Sequence, residues 1–277
     1  MADTDYPTGT LMQGKRGLVM GVANKNSIAW AIARQLAAQG AEVAFTYQGE
    51  ALERRVRPLV ESLGYDAPLM IQADVTDDAS MDAAFATLED RWVGLDFLVH
   101  AIAFAGKEQL AGSFVDNTTR EGFATALDIS AYSFVDATRR ASRLMGEGGS
   151  IPTLTYLGAE RVVPNYNVMG VAKAALEASV RYCAADLGPR GIRVNAISAG
   201  PIKTLAAAGI GSGRHMFRFN KAASAMQDNT DPAGVAGAAL YLLSDLGVSA
   251  TGEVHHVDGG FHAIGMPREE PLRESLS

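Results

Sequence analysis

Short apolar runs rich in Val, Ile, Leu and Phe alternate along the chain with segments whose apolar positions recur at helical spacing. Runs at 17–22 (GLVMGV), 41–47 (AEVAFTY), 68–73 (PLMIQA), 95–101 (LDFLVHA), 149–156, 192–198 (IRVNAIS) and 251–257 (TGEVHHV) predict seven strands. In the first segment between them, Ile28, Ile32 and Leu36 recur every four residues and Gly40 supplies a stop. Further helices are expected near 50–63, 78–91, 119–145, 166–187 and 233–244, the last with Asp231 as cap and Pro232 at its first position. Strand and helix alternating at this spacing require parallel strands joined by right-handed helical crossovers. The expected fold is α/β: a doubly wound, seven-stranded parallel sheet of the Rossmann type with helices on both faces.

No repeat, low-complexity tract or linker divides the sequence, so residues 1–277 are expected to form a single domain. The longest stretch without a clear pattern, 199–231, lies between the sixth strand and the last helix. Ligands of open α/β sheets bind beyond the carboxyl ends of the strands, where such a connection is a natural lid over substrate. The lesser alternative is an ordinary surface excursion.

Composition narrows the partners. An apolar share of 48% with 20% charged residues can fill a large core, which excludes disorder. The net charge of −7, without a run of either sign, argues against nucleic acid as the main partner, since phosphate neutralisation needs clustered bases. The one cysteine, Cys183, cannot form an internal disulfide and fits a reducing compartment. The opening MADTDYPTGTLMQGKRG has no apolar core of a signal peptide and no stretch is long enough for a membrane span, so a cytoplasmic location is expected.

Candidate chemistry begins at the first turn. Gly21-Val22-Ala23-Asn24-Lys25-Asn26-Ser27-Ile28 leads from a strand straight into a helix, where a dinucleotide pyrophosphate meets backbone N–H groups and the helix dipole. The usual G-x-G-x-x-G is missing. Gly21 permits close approach, and Ser27 can cap the helix or donate to a phosphate. The second strand ends without the acidic residue that commonly grips an NAD ribose, leaving Gln48 for that place. The third ends in Asp74-Val75, an acceptor for an adenine amino group beside an apolar wall, although Asp74 can also be only a helix cap. The fourth ends in His100-Ala101-Ile102-Ala103, small enough for a cofactor to lie across the sheet. Arg54 and Arg55 can reach a 2′-phosphate or form a solvated face with Glu53; the balance favours NADH over NADPH.

The fifth strand ends in Tyr156-Leu157-Gly158, and Asn165-Tyr166 opens the long helix that contains Lys173. Tyr166 and Lys173 are seven residues apart, and two helical turns return to within about 20° of the starting azimuth, so both can face one cleft. A phenol can donate to a developing oxyanion, and a nearby ammonium would favour its ionised form. Lys173 can equally hold ribose hydroxyls. The five histidines show no metal-ligand spacing, so no metal is expected, and no G-x-S-x-G elbow is present. Cys183 reads as core.

The stretches GVANKNSIAWAIA, AFTYQGEALERRV, TLTYLGAERVVPNYNVMGVAKAALEASVRY, GIRVNAISAGPIKTLAA and VDGGF closely resemble the NADH-dependent enoyl-acyl-carrier-protein reductases of bacterial fatty-acid synthesis. These form a divergent branch of the short-chain dehydrogenase/reductase superfamily, in which a Gly-x5-Ser-Ile turn and Tyr-x6-Lys replace the usual Gly-rich turn and Tyr-x3-Lys. The resemblance runs from about residue 13 to 262. It implies NADH-dependent reduction of the trans-2 double bond of an enoyl thioester carried on acyl carrier protein. It implies NAD contacts from Gly21, Ser27, Ile28, Gln48, Asp74, Val75, Ile102, Lys173, Ile202, Lys203, Thr204, Leu205 and Ala206. It places Tyr156, Tyr166 and Lys173 in the active site, Ala105 beside the acyl thioester and 203–220 in a substrate loop, and it suggests a homotetramer.

Two departures from the family stand out. Pro152 falls in a central strand, where it removes a ladder donor, so the strand is expected to start late or bulge. Residues 222–230 lack the bases common there, leaving Arg214 and Lys221 to meet an acidic carrier. A keto reductase of the same superfamily, or a nucleotide-binding protein without chemistry, is the alternative; the Tyr-x6-Lys spacing favours the enoyl reductase.

Overall fold

The computed structural model of the chain describes residues 6–204 and 213–269. Its strands are β1 (Arg16–Met20), β2 (Glu42–Tyr47), β3 (Met70–Gln72), β4 (Phe97–His100), β5 (Gly149–Thr155), β6 (Ile192–Ala199) and β7 (Val254–Val257). They form one sheet in the order β3-β2-β1-β4-β5-β6-β7, every neighbouring pair parallel. The order reverses direction between β1 and β4, which opens a crevice at the carboxyl ends of these strands.

Alternation along the strands divides the core between two faces. Val19, Phe45, Phe97, Val99 and Ile197 point to one side, where helices α1 (Ile28–Ala38) and α2 (Glu50–Glu61) supply Ile32, Leu36 and Val56. Leu18, Met20, Ala44, Leu98 and Val194 point to the other, towards α3 (Asp78–Arg91), with Met81, Phe85 and Leu88. Further along lie the short α4 (Phe114–Asn117), α5 (Arg120–Leu127), α6 (Ser133–Leu144), α7 (Asn167–Leu187), α8 (Gly213–Ala223) and α9 (Pro232–Leu243). Asp231 caps α9 as its sequence announces, accepting from the Ala233 N–H at 2.9 Å.

Three expectations are corrected. Pro152 neither delays nor bulges β5: the strand starts at Gly149 and keeps unbroken register with β6, Pro152 opposite Asn195. The Ser150 N–H points to β4, donating to the Asp96 carbonyl at 3.0 Å, and the N of Pro152, two residues on, faces the same way. The missing donor is therefore lost on the β4 side, where β5 pairs through Phe97–Ser150 and His100–Thr153. The single helix expected over 119–145 is instead α5 and α6 joined by a π-turn at Asp128–Tyr132. The unpatterned stretch 199–231 contains α8, whose preceding glycines obscure it in the sequence.

Candidate active site

The carboxyl end of β5 gathers the tyrosines and the lysine. Tyr156 follows the strand in extended conformation, and its ring meets that of Tyr166 edge to face at 5.0 Å between centroids. Tyr166 is set between two asparagines in the left-handed region, Asn165 at φ 63° and Asn167 at φ 38°. Asparagine tolerates that region better than most residues, and strain held beside a reactive side chain is typical of pre-organised sites. Asn167 Nδ2 donates to the Gly112 carbonyl at 3.3 Å, tying the start of α7 to the loop before α4. Two turns into α7, buried Lys173 donates from Nζ to the Leu154 carbonyl at 2.7 Å, two residues before Tyr156. The phenol of Tyr166 and the ammonium thus converge on one strand end. No direct hydrogen bond joins them among the described residues.

Gly158 seats the Tyr166 ring. A Cβ there would overlap the ring's Cδ1 and Cε1, atoms that cannot swing away without moving the phenol. We expect Gly158→Ala to fold and to lower turnover about tenfold by displacing Tyr166, with cofactor affinity retained. Steady-state kinetics alongside a cofactor titration check this.

Burial sets the protonation states. It pushes the Tyr166 phenol well above its ordinary value, and the charges of Tyr156 and Glu177 push the same way. Tyr156 is pushed up to about 12, first by burial and then by Asp258. Lys173 falls to about 8 because its ammonium is desolvated, with Glu177 opposing the fall. The sequence-based idea that an adjacent ammonium would favour ionised Tyr166 is therefore corrected: both phenols stay neutral hydrogen-bond donors near neutral pH.

The turn after β1 fits a dinucleotide. Gly21 has φ 98°, and a Cβ would collide with the Ala101 carbonyl, so glycine is required twice over. Ser27 stands at the N-cap position of α1 but makes no side-chain cap bond. Its Oγ instead accepts from the N–H groups of Ala23 and Asn24 at 3.0 and 3.1 Å, folding the turn back and leaving its own hydrogen to donate. The Ser27 carbonyl takes the N–H groups of Trp30 and Ala31 at 3.1 and 3.2 Å, so those of Ile28 and Ala29, ahead of the first helical bonds, are left to face the same mouth. At the tips of β2 and β3, Gln48 Nε2 donates to Asp74 Oδ2 at 3.0 Å. Asp74 also accepts from Thr76, and these bonds, led by that from Gln48, lower its pKa. It does not cap α3; Asp77 does, accepting from the Ala79 N–H at 3.0 Å. Val75 and Ile102 are half-buried against the core below. Donors at the phosphate mouth, a polar pair at the adenosine end and small residues after β4 form a donor set that fits NAD. Arg54 lies on Glu50 and Arg57 on Glu53, so the solvated face exists with different partners than expected.

Beyond β4 the loop is fixed by the π-turn, which the sequence did not reveal. Ser130 Oγ accepts from the Phe104 N–H at 2.9 Å and donates to its carbonyl at 3.1 Å. Ala105 next to it and Tyr166 both pack against the apolar cluster of Val168, Met169 and Ala172. Ser133 Oγ donates to the Ile129 carbonyl and lies 2.9 Å from Nε2 of fully buried His100. Thr153 Oγ1 donates to the His100 carbonyl at 3.1 Å and lies 3.2 Å from Nδ1, and burial together with the Lys173 charge lowers this imidazole to about 3, leaving it neutral. His256 on β7 holds Glu160 at 2.8 Å, pinning the turn that follows Tyr156.

On the opposite side of the crevice, Ile202 is buried in the core and Thr204 is half-buried. Lys203 is exposed, its Nζ 5.9 Å from the Phe217 ring centroid. Lys203, Phe217, Arg218, Lys221 and Asn229 line an open groove with an apolar floor and a basic rim. Lys221 also faces Asp228 at 3.5 Å. Leu205, Ala206 and the side chain of Arg214 lie outside the described residues. Cys183 packs half-buried against the core.

Comparison with known proteins places this geometry. The family profile described as Enoyl-(Acyl carrier protein) reductase matches residues 21–262. Enoyl-[acyl-carrier-protein] reductase [NADH] 1 of Rhizobium meliloti (strain 1021) is 59% identical over 256 residues, 92% of this chain and 93% of the relative. The corresponding NADH enzyme of Rickettsia typhi (strain ATCC VR-144 / Wilmington) is 51% identical over 258 residues, 93% of this chain and 98% of the relative. Among solved structures, the reductase of Anaplasma phagocytophilum in complex with NAD superimposes with a TM-score of 0.91 at 53% identity, covering 96% of this chain and 100% of that one. The Bacillus cereus reductase with NADP+ and an indole naphthyridinone gives a TM-score of 0.91 at 50% identity, covering 93% and 100%.

Proposed function

This chain belongs to the enoyl-(acyl carrier protein) reductase family, and on that premise we propose the chemistry its residues carry. It is an NADH-dependent enoyl-[acyl-carrier-protein] reductase, saturating the trans-2 double bond of enoyl thioesters in fatty-acid elongation. The observation that carries the assignment of roles is the meeting of Tyr156, Tyr166 and Lys173 at the end of β5, across the crevice from a turn built for pyrophosphate.

Bound NADH would supply a hydride to the β-carbon of the enoyl thioester; the negative charge would gather on the thioester oxygen as an enolate, and a proton taken from solvent at the α-carbon would complete the saturation. Tyr166, a neutral donor in a desolvated site, hydrogen-bonds that oxygen as the charge develops. Tyr156 packs against its ring and closes the pocket wall. Lys173 anchors the nicotinamide ribose and so fixes the angle of approach. Gly21, Ser27 and Ile28 receive the pyrophosphate, Gln48, Asp74 and Val75 the adenosine, and Ile102 with 202–206 the nicotinamide end. Ala105, packed against the same apolar cluster as Tyr166, borders the acyl thioester.

The reading includes a cytoplasmic, homotetrameric single-domain enzyme with residues 199–231 around the substrate. The acidic carrier protein meets the basic rim of Lys203, Arg218 and Lys221, a local exception on a chain of net charge −7. No helix among the described residues is long and apolar enough to cross a membrane.

NADH and NADPH oxidation, followed by absorbance with crotonyl and acetoacetyl thioesters on carrier protein and on coenzyme A, tests the whole. The expected result is NADH-dependent turnover of the crotonyl thioester, with the carrier-borne form preferred and that preference weakened by salt. Preference for the acetoacetyl thioester would overturn the reaction, and a salt-independent carrier preference would overturn the docking surface.

A further inference from the structure

One buried acid in the site has no role in the chemistry above. Glu177 follows Lys173 by one helical turn, so its side chain leaves α7 on the same face, towards the end of β5. It is 6% exposed, as is Lys173. Thr155 donates its hydroxyl to Glu177 Oε1 at 2.6 Å, while Lys173 donates to the carbonyl of Leu154, the preceding residue. Two adjacent residues of β5 thus hold an ammonium and a carboxyl one turn apart, and no hydrogen bond or ion pair within 4 Å joins the two among the described residues.

We propose that Glu177 is a positioning residue for the reduction: fixed by Thr155, its carboxylate keeps the buried Lys173 side chain charged and directed at the cofactor ribose. The geometry explains why a carboxylate rather than any acceptor occupies the place. A desolvated ammonium with one backbone carbonyl as partner loses its proton easily, and a fixed negative charge nearby opposes that loss. The same charge raises the Tyr166 phenol, so one group favours the useful form of both residues. A direct ion pair would instead draw the ammonium away from the ribose.

The other charged and titratable groups around the pair are few. His100 on β4 is neutral and buried. Burial raises the pKa of Glu177 and Glu160 adds to the rise, while the Thr155 hydroxyl, Arg181 one turn further on and His256 on β7 oppose it and favour the carboxylate. Tyr156 and Asp258 complete the surroundings on the β7 side.

The inference rests on the reading of Lys173 as the ribose anchor, and cofactor binding separates the two. NADH dissociation constants are measured by nicotinamide fluorescence from pH 6 to 9.5 for the wild type, Glu177→Gln, Thr155→Val and Lys173→Ala. Glutamine keeps the acceptor for Thr155 and removes only the charge. Wild-type affinity is expected to fall as pH rises through about 8, where Lys173 loses its proton. In Glu177→Gln that fall should begin about one pH unit lower, giving about threefold weaker binding at pH 7.5 and agreement with wild type at pH 6. Thr155→Val, which frees the carboxylate without removing it, should move the limb the same way by less. Lys173→Ala should bind weakly with no limb.

Superimposable limbs for Glu177→Gln and wild type overturn the inference. If Glu177→Gln fails to fold, an unmoved limb in Thr155→Val does so. A wild-type limb that persists in Lys173→Ala overturns instead the reading of Lys173 on which the inference rests.

Discussion

Tyr166→Phe is expected to lower kcat for an enoyl thioester by about 10² to 10³ while leaving NADH affinity within about twofold of wild type. The substitution removes one oxygen from a ring already seated against Tyr156 and Gly158, so packing barely changes. What disappears is a single donor in a desolvated cleft, where hydrogen bonds to a forming oxyanion are worth more than in water. Burial holds Tyr166 protonated, and its removal should therefore depress the rate equally across pH 6 to 9, without moving either limb of the profile. Tyr156→Phe gives the contrast. Its ring closes the wall and its phenol is a subsidiary donor, so the loss should be smaller. Equal losses in both variants would mean that the two phenols share the oxyanion; an unchanged Tyr166→Phe would remove it from the chemistry.

Much of this arrangement is legible in the residues because its physics is local. The seven apolar runs become the seven strands with ends within about three residues, since parallel strands covered on both faces leave little choice of pattern. Asp231-Pro232 announces α9, and Tyr166 and Lys173 share a helix face by arithmetic alone. The misses are tertiary. Ser27 looks like a helix cap, but the chain folds back so that its hydroxyl serves Ala23 and Asn24. Ser130 and Ser133 look like ordinary helix residues until the π-turn aims them at Phe104 and His100. Pro152 argues against a central strand, yet the sheet keeps register and forgoes one donor on the β4 side. Glu177 sits in an alanine-rich run where an acid usually faces solvent, although its spacing of four from Lys173 was the available clue.

Lys173→Met should separate stability from function in opposite directions. Binding of NADH is expected to weaken about a hundredfold at pH 7, since charge-assisted bonds to the ribose are among the strong ones. The fold itself should become more stable. The ammonium is 6% exposed and its pKa falls from 10.5 to about 8, so folding at neutral pH carries the cost of a desolvated charge. Methionine of similar length fills the space without that cost, at the expense of an unpartnered Leu154 carbonyl, for a net gain of about 2 kcal/mol. Between pH 8 and 10.5 the unfolded chain holds a proton that folded wild type has released, so wild-type stability rises with pH through that window. The advantage of Lys173→Met should therefore be full below pH 8 and fade towards pH 10.5, as read by denaturant unfolding of the cofactor-free protein. A variant less stable than wild type at pH 7 would show that the Leu154 carbonyl and the Glu177 charge together outweigh the cost of burying the ammonium. A site that sustains a buried ammonium against its own stability has been shaped by what that ammonium must hold.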